Sequence, residues 1–224
     1  GFSATTYPVG ATWTPAICST FPVRWTRDVS SIINQTGVWV AHFQYSSGSN
    51  ALQISRAALD DGTSTLDFDQ HPGWTGIETY DNRYYLRVAT LPPALTFTAT
   101  TNSAGGTDSN GTITFTRCPE LTVGSTWAPA DCATARQIWN QDVTATVSQT
   151  GIYQLTLSRT GGSANLTVDR AWLEQSGATL AAEVRDETLT ATATTQSWTL
   201  TVNEITATPV TLRIATGSSA AAGS

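Results

Sequence analysis

Lysine and methionine are missing from this chain of 224 residues, and all eleven of its cations are arginines. Only 12% of the residues are charged, and the formal net charge is −6. An acidic chain with no basic cluster argues against nucleic acid or anionic membranes as partners. No apolar run approaches the length needed to span a bilayer, so membrane insertion is not expected. Histidine occurs only at His42 and His71. There is no Gly-x-Ser-x-Gly elbow, no Cys-x-x-Cys and no phosphate-cradling glycine loop, so the motifs of hydrolytic, redox and nucleotide chemistry are missing. Paired carboxylates do occur (Asp60 with Asp61, Asp67 with Asp69), yet neighbouring turn acids seldom form a general acid–base pair. The chain is expected not to be an enzyme. With no initiator methionine and a start at Gly1, a processed chain that has shed an export signal is expected.

Threonine fills much of the remaining space, close to a fifth of the chain. It is the β-branched polar residue that suits solvated strand faces. The order of residues reveals a tandem repeat. Trp13, Pro15, Ala16 and Cys18 recur 114 residues later as Trp127, Pro129, Ala130 and Cys132. The same offset carries Trp25 onto Trp139, Asp28 onto Asp142, Arg56-Ala57 onto Arg170-Ala171 and Val88 onto Val202. Leu95-Thr96-Phe97 then matches Val210-Thr211-Leu212 after one inserted residue. Two domains are therefore expected, residues 1–119 and 120–224, each large enough for its own core. The first copy continues into Gly111–Cys118, GTITFTRC, whereas the second stops in GSSAAAGS. The second copy is expected to lack its last strand.

Within each copy the pattern has period two. From Val38 to Tyr45, Trp39, Ala41, Phe43 and Tyr45 are predicted to face one side and Val40, His42 and Gln44 the other. Tyr153, Leu155 and Leu157 are predicted inward in the second copy, against Gln154, Thr156 and Ser158. Turns are predicted at Ser46–Ser49, Gly62, Thr160–Ser163 and Gly177. Only Ala57–Asp61 hints at helical spacing, and it is too short to make a helix. The expected fold class is all-β, with a β-sandwich or barrel per copy.

Three cysteines leave one over. Cys18 and Cys118 lie near the boundaries of the first copy, and in a sandwich whose first and last strands are neighbours they would pair in an oxidising compartment. Cys132 would then be unpaired, its partner belonging to the missing strand. The alternative is that the thiols stay reduced and pack as small hydrophobes.

The progression TGVWVAHFQYSSGSNALQISRAALDDG, DFDQHPGWTG, NRYYLRV and GGTDSNGTITF resembles the galactose-binding-like β-sandwich modules appended to secreted bacterial glycoside hydrolases. The likeness covers most of the first copy and about two-thirds of the second. It implies a jelly-roll fold, an extracellular or cell-surface location, and carbohydrate recognition with Ca²⁺ as a common companion. The second copy departs where it matters: Asp69, His71, Gly73 and Gly76 become Glu183, Arg185, Glu187 and Thr190.

Asp67, Asp69, His71, Asp108 and Asn110, with Asp81 and Asn82 nearby, form the densest set of oxygen ligands. They are the candidate site for Ca²⁺ in the first domain, since hard cations collect loop oxygens. The set lacks EF-hand spacing, and a polar loop with turn-capping side chains is the favoured alternative. Trp74, Tyr80, Tyr84 and Tyr85 are candidate sugar platforms, although sandwiches also bury such rings. Trp74 stands out because its counterpart is Thr188. Asn34, Asn110 and Asn165 begin Asn-x-Thr sequons, about as many as chance supplies in a chain this rich in threonine.

Two functions compete. One is a secreted carbohydrate-binding module with the first domain as the binder. The other, favoured by the missing strand, is an extracellular structural subunit that polymerises head to tail with copies of itself. In that reading Phe2, Ser3, Ala4, Thr5 and Thr6 of one subunit complete the second domain of the next.

Overall fold

The computed structural model describes residues 5–8, 12–13, 23–47, 54–70, 81–101, 110–122, 124, 136–162, 165–183, 187–189 and 195–218. The chain divides into two compact units, Gly1–Arg117 and Cys118–Ser224. Every regular element among the described residues is a β-strand.

The first unit contains β1 (Thr5–Pro8), β2 (Thr12–Trp13), β3 (Val23–Asp28), β4 (Gly37–Ser47), β5 (Ile54–Asp60), β6 (Thr65–Gln70), β7 (Asp81–Val88), β8 (Thr96–Thr101) and β9 (Asn110–Arg117). They form a sheet in the order β1-β3-β8-β5-β6 and a sheet in the order β2-β9-β4-β7. Alternation places one apolar row of each sheet in the space between them. Trp25, Ala57, Leu59, Phe97 and Ala99 come from the first sheet, and Trp39, Ala41, Phe43, Tyr84, Leu86 and Ile113 from the second, in a single buried cluster. Phe43 packs on Trp25, Tyr84 and Phe97 with ring centroids 6.4, 5.7 and 6.1 Å apart. This is a β-sandwich. Ala57–Asp61 lies in and just beyond β5, and Gly62 turns the chain with φ +95°. One face of β4 departs from expectation, because Val38 and Val40 are also buried while His42 is half-buried and Gln44 exposed.

The second unit contains β10 (Glu120–Thr122), β11 (Arg136–Asp142), β12 (Gly151–Ser158), β13 (Leu166–Gln175), β14 (Ala178–Glu183), β15 (Glu187–Leu189), β16 (Thr195–Val202) and β17 (Val210–Ser218). The larger sheet runs β10-β11-β17-β13-β14 with β15 also on β13, and the smaller holds β12 and β16 alone. The two-residue hairpin from β13 to β14 turns through Ser176 (φ 46°) and Gly177 (φ 85°), both in the left-handed region that tight hairpins demand.

Details of the first unit recur at the 114-residue offset. Val29 N–H donates to the Leu95 carbonyl, and the Ile33 N–H donates back to the Val29 carbonyl. Val143 N–H donates to Val210 and the Val147 N–H to Val143 in the same way. β1 pairs in parallel with β3, Thr6 opposite Arg24, and β10 pairs in parallel with β11, Glu120 opposite Ile138. These parallel strands correct one expectation. Thr5 and Thr6 are already paired within their own unit, so they are not a loose segment available to a neighbour. Phe2, Ser3 and Ala4 lie outside the described residues.

Candidate functional site

The sequence placed Asp67 and Asp69 in a loop; they stand instead in β6, and their direction reverses the polarity of that strand. Leu66 and Phe68 alternate with the two aspartates, so an ordinary strand would turn the apolar pair inward. Asp67 and Asp69 are instead buried, at 4% and 1% exposure, while Phe68 is 43% exposed. The Arg56 guanidinium covers the Phe68 ring at 4.5 Å from its centroid, a cation–π contact that shields the outward aromatic.

The reason lies in the neighbouring sheet. β6 is the last strand of one sheet and β7 the last of the other. An edge strand leaves every second N–H without a partner in its own ladder. The Asp69 Oδ2 accepts the Tyr85 N–H at 2.8 Å, and the Asp67 Oδ2 accepts the Arg87 N–H at 2.7 Å. Two aspartates at i and i+2 thus satisfy two edge amides at j and j+2. A charged acceptor makes each bond shorter and stronger than a neutral one. The result is a clasp joining the two sheets immediately before residues 71–80, which connect β6 to β7.

That connection reads HPGWTGIETY and carries His71, Trp74 and Tyr80. These three lie outside the described residues, as does Asp108. Asn110 opens β9 opposite Ser47. Among the described residues no group of three His, Cys, Asp or Glu side chains is placed to hold a metal ion. Tyr84 and Tyr85 are not sugar platforms. Both are completely buried, the Tyr84 hydroxyl donating to the Ile54 carbonyl at 2.8 Å; central rows of β7 are covered on both faces, so neither ring offers a face to a ligand.

The second unit builds this region differently. The counterpart of Asp67 is Ala181, and the segment equivalent to residues 71–80 is RDETLTATAT, with no aromatic residue. Part of that segment is spent on β15, which pairs with β13 from Leu166 opposite Leu189 to Val168 opposite Glu187.

Cys118 is buried directly after β9, while Cys18 and Cys132 lie outside the described residues. Asn34 is exposed in the turn between β3 and β4, and Asn165 is half-buried just before β13. The inter-sheet clasp was missed from sequence. Its signal was present in TLDFDQ, where two acids alternate inside a strand-like run instead of clustering in a turn.

No protein family and no curated protein matches the sequence. Among solved structures, the tandem CBM51 modules of a family 98 glycoside hydrolase from Streptococcus pneumoniae SP3-BS71 are similar to this chain at a TM-score of 0.27 and 8% identity. The match covers 87% of this chain and 80% of that one. A likeness of that degree leaves the site to be read from its own geometry.

Proposed function

We propose that the chain is a non-catalytic, extracellular carbohydrate-binding module, and that its first unit binds through residues 71–80. The observation that supports this reading is the clasp of Asp67 and Asp69 on the Arg87 and Tyr85 amides. It holds the base of a ten-residue connection that carries Trp74 and Tyr80, the arrangement in which a rigid scaffold presents a recognition loop. Flat aromatic rings stack on the apolar faces of sugar rings, and flanking polar groups select among hydroxyls. The carboxylates of Asp67 and Asp69 spend their Oδ2 atoms on backbone amides, which gives them a supporting role and not an acid–base one. Ca²⁺ in this unit would draw on His71, Asp108 and Asn110. Screening the full chain against a panel of neutral polysaccharides tests the reading. A ligand should be found whose affinity falls about tenfold or more in Trp74→Ala, equivalent to about 1.4 kcal/mol. Binding that is indifferent to Trp74→Ala overturns it.

A second reading is a structural subunit that assembles head to tail into a surface fibre or layer. The supporting observation is the two-stranded sheet of the second unit, whose β12 has only β16 beside it among the described residues. Thr5 and Thr6 are spoken for by β3, so a polymer would need another donor. The two readings separate on whether the native protein is dispersed or polymeric.

A further inference from the structure

The edge of β12 differs from that of its counterpart β4. β4 is flanked on one side by β7 and on the other by β9. β12 pairs with β16 from Gly151 opposite Val202 to Ser158 opposite Thr195, and no described strand lies on its other side. The side chains there are less covered than those of β4. Trp39, Ala41 and Phe43 are buried at 7%, 0% and 2% exposure. Their counterparts Tyr153, Leu155 and Leu157 are only half-buried, although they pack against the same kind of core. On the opposite face Ile152 is 75% exposed, where Val38 is fully buried.

Nothing in the strand defends that edge. Proteins blunt exposed edges with charge, proline, bulges or very short strands. β12 is eight residues long, GIYQLTLS, with no charge, no proline and an unbroken register against β16. It is also clear which groups are exposed. In the first unit the Tyr85 and Arg87 amides point away from β4, so the residues of β4 opposite them, Val40 and Val38, turn their own backbone groups away from β7. At the 114-residue offset these become Gln154 and Ile152. The backbone groups of Ile152, Gln154, Thr156 and Ser158 therefore face the open side.

We infer that the edge of β12 left without a partner among the described residues is an acceptor for an extended polypeptide segment of the β9 type, added antiparallel by main-chain hydrogen bonds. The first unit supplies the template. There β9 sets Phe115 opposite Ala41 and Ile113 opposite Phe43, with Thr114 and Thr116 opposite His42 and Val40. Ile113 is buried, and Phe115 packs edge-on against Phe97 at 5.0 Å. Transferred to the second unit, an apolar residue falls over Leu157 and another over Leu155, and threonines meet Thr156 and Gln154. Main-chain bonds would supply affinity, and the alternate pockets between those leucines would supply selectivity. This goes beyond sugar recognition and concerns the other unit, so either can fail without the other.

The probe is the synthetic peptide NGTITFTR, the sequence of β9 itself, titrated into the full chain and followed by amide hydrogen exchange. Saturable binding should slow exchange along Gly151–Ser158 by about tenfold or more. Methylating the peptide nitrogens that correspond to Thr112, Thr114 and Thr116 should abolish binding, since those face the acceptor; methylating those of Ile113 and Phe115 should not. Gln154→Pro, which removes one outward N–H from the edge, should fold and lose affinity at least as far. If that variant does not fold, the methylated peptides decide alone. No binding, equal binding of the two methylated peptides, or protection that maps to the first unit overturns the inference. So does a peptide-free chain that dimerises with Gly151–Ser158 protected, because the occupant is then a second copy.

Discussion

At the scale of single residues, aspartate does most of the local organising, in two different ways. Asp28, Asp61 and Asp142 each follow or end a strand and accept hydrogen bonds from the next turn. Asp28 Oδ1 takes the Ser30 N–H at 2.9 Å, and Asp142 Oδ1 takes the N–H and hydroxyl of Thr144 at 2.9 and 2.6 Å. Asp61 accepts from the Ser64 and Thr63 amides and from both hydroxyls. Donors aimed at the charged form lower the pKa of all three, the Ser30 amide dominating at Asp28 and the Thr144 hydroxyl at Asp142. Asp61 falls furthest, from 3.8 to about 2, chiefly through the Ser64 amide and then the Thr63 amide. A depressed folded-state pKa stabilises above the unfolded value and loses that contribution as pH falls through the folded one. Acid titration of the fold should therefore show stability declining between pH 3.8 and about 2, with part of the decline missing in Asp61→Asn. An identical acid profile in that variant sinks the assignment. Asp28 and Asp142 are exposed and Asp61 partly so, so the effect on the whole fold should be small.

At the scale of elements, equivalent positions are held by different chemistry in the two units. Asp60 Oδ2 accepts the Thr98 hydroxyl at 3.0 Å between β5 and β8. At the matching place between β13 and β17, Glu174 binds Arg213 through two contacts of 2.7 and 3.2 Å. Arg213 also reaches Glu120 at 2.9 Å and the Asn140 side-chain oxygen at 2.8 Å, so one guanidinium joins β10, β11, β13 and β17. The planar fork of arginine makes this possible; lysine could not span the three side chains. The clasp of β6 on β7 rests on Asp67 and Asp69 in the first unit. Asp69→Ala removes the acceptor of a buried Tyr85 amide, and the expected loss is about 1–3 kcal/mol of stability. Denaturant unfolding measures it. A neutral Asp69→Ala would remove the clasp from any account of how residues 71–80 are held.

At the scale of the whole chain, each unit has its own buried cluster, and the smaller sheet of the second has two strands among the described residues. A sheet of two strands is marginal by itself and needs packing or further strands. β12 and β16 have Trp198, Leu200 and Val202 packed on the larger sheet to hold them. Negative-stain electron microscopy of the native protein should then show dispersed particles if carbohydrate binding is the function. Fibres or sheets would overturn that expectation and favour the structural subunit. The cysteines belong to this scale too, since a Cys18–Cys118 bond would close most of the first copy into one loop.

What the sequence determined by itself was the class of the fold and its internal equivalences. Period-two alternation is set by the backbone of a strand, so Trp39, Ala41, Phe43, Tyr153, Leu155 and Leu157 were assigned to the inner face without coordinates. Tertiary structure decided what alternation cannot express. Asp67 and Asp69 point inward and Phe68 outward because an edge strand of the other sheet presents amides there, a long-range demand that outweighs local polarity. Tyr84 and Tyr85 are core residues because both faces of β7 are covered. Thr5 and Thr6 pair in parallel with β3, and parallel partners distant in sequence leave no short-range pattern to read.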